Sequence, residues 1–278
     1  MNIVNAIGNA EIVKMFFGKT GIKLNYLISY QYLKGQAYKL VKLYRHMIAL
    51  LFLDSGAYSY SKGISKITLS EFSLYFNRYG THFDEVFSFD QDFLDPEVNL
   101  RNQLYLVKNL PAGRKPPIPV IHDPHDPFGE LKSYQELGYS YVAIGSTQRI
   151  KDDVFKRIKE EYPDLKLHMF GTLNRKMLMT HRPYSADSTG YAQAAARGSI
   201  LYWHPGEKKE YQIDVGERDK NDAKIPHFKK FKYRREVEEF LFKTFNYEYR
   251  DLLVSTDAKW LTNCYFFKQL EDYINSLP

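Results

Sequence analysis

The chain has 278 residues, 44% apolar and 26% charged, with 39 Lys and Arg against 33 Asp and Glu for a net charge of +6. That is enough apolar sequence to build a core without covalent staples. A single cysteine, Cys264, excludes an intrachain disulfide and a cysteine-rich zinc site.

The longest apolar run, residues 47–53, is far shorter than the about 18 residues of a membrane-spanning helix. No basic stretch followed by a long apolar run opens the sequence. The expectation is a cytoplasmic protein with no membrane partner. The modest positive charge favours an anionic partner. The 23 tyrosines and 19 phenylalanines supply both core and potential base-stacking surface.

In chain order, β-rich runs alternate with amphipathic stretches. Residues 23–30 read as a strand and 35–47 as a helix. Residues 48–53 (IALLFL) form a continuous apolar run of the kind buried on both faces, and it ends in Asp54-Ser55-Gly56-Ala57-Tyr58. Thr68 with Glu71 three residues on predicts a capping box for a helix reaching about residue 79. Residues 85–89 predict a strand ending in Asp90. A helix over 96–109 carries Pro96 in its first turn. A strand over 118–121 ends in His122-Asp123-Pro124-His125-Asp126.

The alternation continues to the end of the run. A helix over 128–137 closes on Gly138. Strands over 141–144 and 165–170 end in Gly145-Ser146 and Gly171, with a helix over 152–162 between them. A short helix over 175–181 leads to a short strand over 184–186, ending at Asp187. Residues 191–196 read as a turn of helix and 199–203 as an eighth strand. The whole predicts an α/β fold, a (β/α)₈ barrel of the TIM type within residues 1–205, its strands falling between 23 and 205. Residues 206–278 are expected to form a basic loop and C-terminal helices packed on the barrel. In this fold the residues after each strand converge on one face, which gathers Asp54, Asp90, His122, Gly145, Gly171 and Asp187.

An aspartate after a strand also serves as a helix N-cap, and a basic run is commonly a solvated helix face. Three carboxylates in one ring suit acid–base or nucleophilic chemistry. The run at 224–235 (KIPHFKKFKYRR) interleaves Lys229, Lys230, Lys232, Arg234 and Arg235 with aromatics, the composition of a phosphate-binding strip.

Five segments resemble the tRNA-guanine transglycosylases (queuine tRNA-ribosyltransferases). Leu53-Asp54-Ser55-Gly56-Ala57-Tyr58 is similar to the family's Asp-Ser-Gly-Gly-(Tyr/Phe)-Gln. Phe87-Ser88-Phe89-Asp90 resembles its later strand ending in Phe-Asp. Ala143-Ile144-Gly145-Ser146 stands where the family has Ala-(Val/Ile)-Gly-Gly. His168-Met169-Phe170-Gly171 resembles its His-(Leu/Met)-Gly turn. Ser185-Ala186-Asp187, followed by Ala196-Arg197-Gly198, resembles the nucleophile segment. The resemblance covers residues 48–200.

It implies a pentosyltransferase without a cofactor or metal. Asp187 would be the nucleophile and Asp54 the general acid and base. Asp90, Tyr58, Gly145, Ser146, Gly171, Ser55 and His122 would bind the base, with Arg197 and the basic strip on nucleic acid. The family's Cys/His zinc module is absent, and Ala57 and Ser146 replace glycines. The chain is therefore closest to the phage and bacterial branch that inserts 7-deazaguanines into DNA. DNA is expected over tRNA, with a free 7-deazaguanine base as the second substrate, in a bacterial or phage-infected cytoplasm. Two other readings stay open. One is a metal-dependent barrel hydrolase using His122, Asp123, His125, Asp126 and His168. The other is a barrel that binds a nucleobase or nucleic acid without turnover.

Overall fold

The structure is a computed structural model. It describes residues 1–32, 36–61, 63, 66–123, 125–145, 150–172, 174–217 and 224–277, with the backbone alone for Tyr58 and Ser61. The chain folds as two compact units, one of residues 1–9 with 25–188 and one of residues 10–24 with 189–278.

The first unit is built on β1 (Asn2–Ile7), β2 (Leu24–Ser29), β3 (Ile48–Asp54), β4 (Glu85–Val86), β5 (Val120–Ile121), β6 (Tyr141–Ile144), β7 (Lys166–Met169) and β8 (Ser185–Ser188). These eight strands form a parallel sheet in the order β4-β3-β2-β1-β8-β7-β6-β5. In a flat sheet β3 and β7, four strands apart, would be separated by about 19 Å. The rings of Phe52 and His168, one on each, have centroids 6.0 Å apart. The sheet is therefore strongly curled. Its concave face buries Val4, Leu27, Phe52, Phe87, Ile118, Val120, Tyr141 and Ala143 in one cluster. The outermost strands are linked just beyond their named ends by a parallel bridge between Phe87 and Ile118. There Ser88 N–H donates to Ile118 O and Ile118 N–H to Val86 O, both at 2.8 Å.

Two expectations change. The eighth strand is not 199–203 but β1, which pairs with both β2 and β8. Asn2 and Asn5 break its apolar run, so the segment lacks the signature of a strand buried on both faces. The helix expected over 35–47 is replaced, among the described residues, by a π turn at Lys39–Leu43 and a 3₁₀ turn at Arg45–Met47. β4 and β5 are also shorter than expected. Pro117 and Pro119 flank Ile118 and carry no N–H for the ladder.

The helices expected from the capping box at Thr68 to residue 181 keep their predicted ends to within a residue or so. The helices that follow α1 (Glu11–Thr20) are α2 (Ala57–Ser61), α3 (Leu69–Tyr79), α4 (Pro96–Lys108), α5 (Phe128–Glu136), α6 (Asp152–Glu161) and α7 (Arg175–His181), and α1 and α2 are additions. The capping box forms as predicted, with Glu71 N–H on Thr68 Oγ1 at 3.3 Å and Thr68 N–H on Glu71 Oε2 at 2.9 Å. Asp95 caps α4 by accepting from Glu97 and Val98 N–H.

The second unit holds α1, α8 (Gly190–Ala196), a hairpin of β9 (Ser199–His204) and β10 (Lys209–Asp214), α9 (Arg234–Phe245), α10 (Tyr249–Val254) and α11 (Thr256–Ser276). β9, which holds the residues expected to be the eighth strand, pairs antiparallel with β10 in a sheet of its own. It is anchored on α11 by buried Asn263, whose Oδ1 accepts from Leu201 N–H at 2.6 Å and whose amide donates to Tyr191 O at 2.9 Å. Among the described residues no helix is long and apolar enough to cross a membrane.

Candidate functional site

Strand alternation carries polar residues onto the concave face. Side chains two residues apart share a face. Phe52, Val120 and Ala143 lie in the concave core. The residues two further along are Asp54, His122 and Gly145, at the C-terminal edge of the sheet. On β8, Ser185 and Asp187 share a face in the same way, and both hydrogen-bond to His168 on β7.

Asp54 ends β3. Its Oδ2 accepts from Gly56 N–H at 3.2 Å. Gly56 has φ +85°, and a Cβ there would meet Ser29 Oγ at 2.8 Å, so the returning turn requires glycine. Burial pushes the Asp54 carboxyl up to about 7, and the charges of Asp90 and then Asp187 push the same way. The Gly56 N–H and the Ser29 hydroxyl offset part of this. The three aspartates therefore share one electrostatic site.

Asp90 is buried and held from both sides. Ser55 Oγ donates to its Oδ1 at 3.0 Å, and His122 Nε2 lies 2.8 Å from its Oδ2. The loop that carries it is pinned by α4. The Asn102 amide donates to Phe89 O at 3.1 Å, and Asn99 bonds both N–H and C=O of Asp92. His122 stacks on Phe93, with centroids 4.1 Å apart and planes 19° apart. Its Nδ1 is buried without a hydrogen-bond partner among the described residues. A Cβ at Gly145 would fall 3.0 Å from Val120 Cγ1 and 3.2 Å from His122 Cε1. Glycine there is what seats the imidazole. Beside His122 a cleft of about 620 Å³ opens, lined by Phe93, Asn99, Glu130 and Tyr134 among others.

Asp187 is buried at the end of β8. Gly171 N–H donates to its Oδ1 at 3.0 Å, and His168 Nε2 lies 3.3 Å from the same oxygen. Oδ2 carries no hydrogen bond among the described residues. His168 itself is fully buried, and its Nδ1 lies 2.7 Å from Ser185 Oγ. Neither Ser185 nor the α4 asparagines stood out in the sequence. Strand alternation back from Asp187 was the signal for Ser185, and the polar positions on the buried face of α4 were the signal for Asn99 and Asn102.

The structure thus gathers Asp54, Ser55, Asp90, His122, Gly145, Gly171 and Asp187 in the first unit. The Tyr58 side chain and Ser146 lie outside the described residues. Arg197 and the basic strip belong to the second unit, where all six side chains are exposed. Within the strip, Phe228 and Phe231 are buried and anchor the segment. Lys232 pairs with Glu207 at 2.8 Å and Arg234 with Glu238 at 2.8 Å. Among the described residues no group of three or more His, Cys, Asp or Glu side chains is arranged to hold a metal ion.

Fold and site together define an α/β protein with a carboxylate site at the C-terminal edge of a curled parallel sheet. No protein-family model and no curated protein matches the chain.

Proposed function

We propose that this protein is a guanine transglycosylase. It exchanges guanine in nucleic acid, DNA rather than tRNA, for a free 7-deazaguanine base, on a curled sheet that forms a (β/α)₈ barrel seamed by the Phe87–Ile118 bridge. The observation that carries the reading is the opposite set-up of two carboxylates in one site. Asp54 is pushed to about 7 and holds a proton near neutral pH. Asp187 is built as an acceptor, with two partners on one oxygen. Such a pair divides the acid and nucleophile roles of a retaining glycosyl transfer.

In the first half-reaction Asp187 Oδ2 bonds to C1′ of the target nucleotide. The glycosidic bond breaks, and its electron pair leaves on guanine, which takes the Asp54 proton. In the second half the incoming base gives a proton to Asp54 and attacks C1′, which frees Asp187. Asp90 accepts N–H groups of the guanine edge. Its oxygens each retain a lone pair beyond the Ser55 and His122 bonds. The target nucleotide must leave its helix to reach the site.

The test is single-turnover incubation with guanine-containing DNA and tRNA, read on denaturing gels for a covalent adduct, alongside exchange of radiolabelled guanine. Wild type is expected to form an adduct with DNA, and Asp187→Asn none. An adduct that survives Asp187→Asn, or its absence from wild type on both nucleic acids, would overturn the reading.

A further inference from the structure

Four side chains from three strands form a continuous buried chain. Tyr141 OH lies 2.9 Å from Ser185 Oγ, Ser185 Oγ lies 2.7 Å from His168 Nδ1, and His168 Nε2 lies 3.3 Å from Asp187 Oδ1. The imidazole sits among Phe52, Phe87 and Phe170, with ring centroids at 6.0, 4.5 and 4.5 Å. A neutral imidazole ring offers one donor and one acceptor, which matches its two polar neighbours, Ser185 and Asp187.

The polarity of the chain follows from its ends. Ionised Asp187 can only accept, so His168 Nε2 carries the proton and Nδ1 is bare. Ser185 must then donate to Nδ1, which leaves its oxygen to accept from Tyr141. Burial pushes the Tyr141 phenol pKa up, so it remains a donor. Every proton in the chain has one destination.

Hydroxyl, imidazole and carboxylate are the residue types of a serine-hydrolase relay. Here the order of access is reversed. Ser185 and His168 are both 0% exposed, whereas Asp187 keeps 6%. Ser185 cannot meet a substrate, so the end of the chain that can do chemistry is the carboxylate.

We propose that Tyr141, Ser185 and His168 are positioning residues that fix the Asp187 carboxylate through Oδ1 and present Oδ2 for attack. The proposal rests on the reading of Asp187 as the nucleophile. Its physical content is orientation. With the Nε2 donor gone, Gly171 N–H alone holds Oδ1, the carboxylate rotates, and a misplaced nucleophile slows attack by about 10²-fold.

Two measurements test it. The first needs no turnover. ¹⁵N NMR of the histidine-labelled protein should show His168 with Nε2 protonated and Nδ1 bare at neutral pH. The opposite tautomer, or an imidazolium, overturns the relay. This result stands whether or not the protein exchanges guanine.

The second compares His168→Phe, which removes both bonds, with His168→Gln, whose terminal amide places a donor near the Nε2 position. Melting curves establish that each variant is folded. The rate of adduct formation is expected to fall about 10²-fold in His168→Phe at an unchanged KM for nucleic acid, and to recover to within about tenfold of wild type in His168→Gln. If the two folded variants react alike, or His168→Phe changes KM rather than the rate, positioning is refuted. Absence of any adduct in wild type instead refutes the transglycosylase reading.

Discussion

His122 Nε2 lies 2.8 Å from Asp90 Oδ2, and this contact joins the end of β5 to the loop after β4. Ser55 holds the other oxygen, so the acceptor edge of Asp90 is fixed by groups from two neighbouring strand ends. His122→Phe keeps a ring against Phe93 and removes the bond. A hydrogen bond to a charged group contributes about 1.5–3 kcal/mol. The expected outcome is a rise of roughly 10- to 100-fold in KM for the free base, with a lowered melting temperature because the buried Asp90 oxygen loses its partner. An unchanged KM would mean that Asp90 does not need its imidazole partner to read a base.

The basic strip can be tested separately from the chemistry. Phe228 and Phe231 are core anchors and cannot stack on bases, so the strip's exposed lysines and arginines are what it offers to nucleic acid. Lys232 is committed to Glu207, whose carboxylate is held down to about 2 by bonds from Lys232, Tyr211 and Tyr233. The reversal that tests the strip is of Lys229, Lys230 and Arg235 to Glu together. All three are exposed, so melting should barely change. Affinity for duplex DNA should fall, and the slope of log K against log salt should flatten by about 2 to 3. A triple variant with the wild-type slope would place the nucleic-acid surface elsewhere.

The sequence-level pattern carried the alternation of strands and helices, and it carried the polar residues that end each strand. Asp54, His122 and Gly145 were legible because each directly follows a strand core of unmistakable apolarity, whereas Asp187, at the end of a short polar strand, was legible from the family resemblance of its segment. β1 was not legible, because its two asparagines disguise a strand whose hydrogen bonding is entirely non-local. The segment 199–203 looked equally apolar, yet its neighbour β10 offers a local antiparallel partner, which costs less chain entropy than a distant parallel one. The tautomer chain behind Asp187 was invisible for a related reason. Tyr141, His168 and Ser185 are 17 to 44 residues apart in sequence, and only the pairing of β6, β7 and β8 as neighbours in the sheet brings them together.

The raised pKa of Asp54 gives a stability signature and an activity signature that must move together. Folding raises this carboxyl from its ordinary value of 3.8 to about 7. Between those values the folded state binds more protons than the unfolded one, so the contribution of Asp54 to stability declines as pH rises through that window and is flat above it. The decline amounts to at most about 4 kcal/mol. Asp54→Asn should abolish this component, so the variant gains on wild type in a melting series run from about pH 4 to pH 8.

In wild type the first half-reaction requires the protonated acid, so single-turnover adduct formation should fall as pH rises through about 7. Asp90→Asn removes one of the charges that lifts Asp54. Both the melting limb and the kinetic limb should then shift to lower pH by the same amount. A shift in one limb without the other would separate the group that sets stability from the group that donates the proton, and Asp54 could no longer be both.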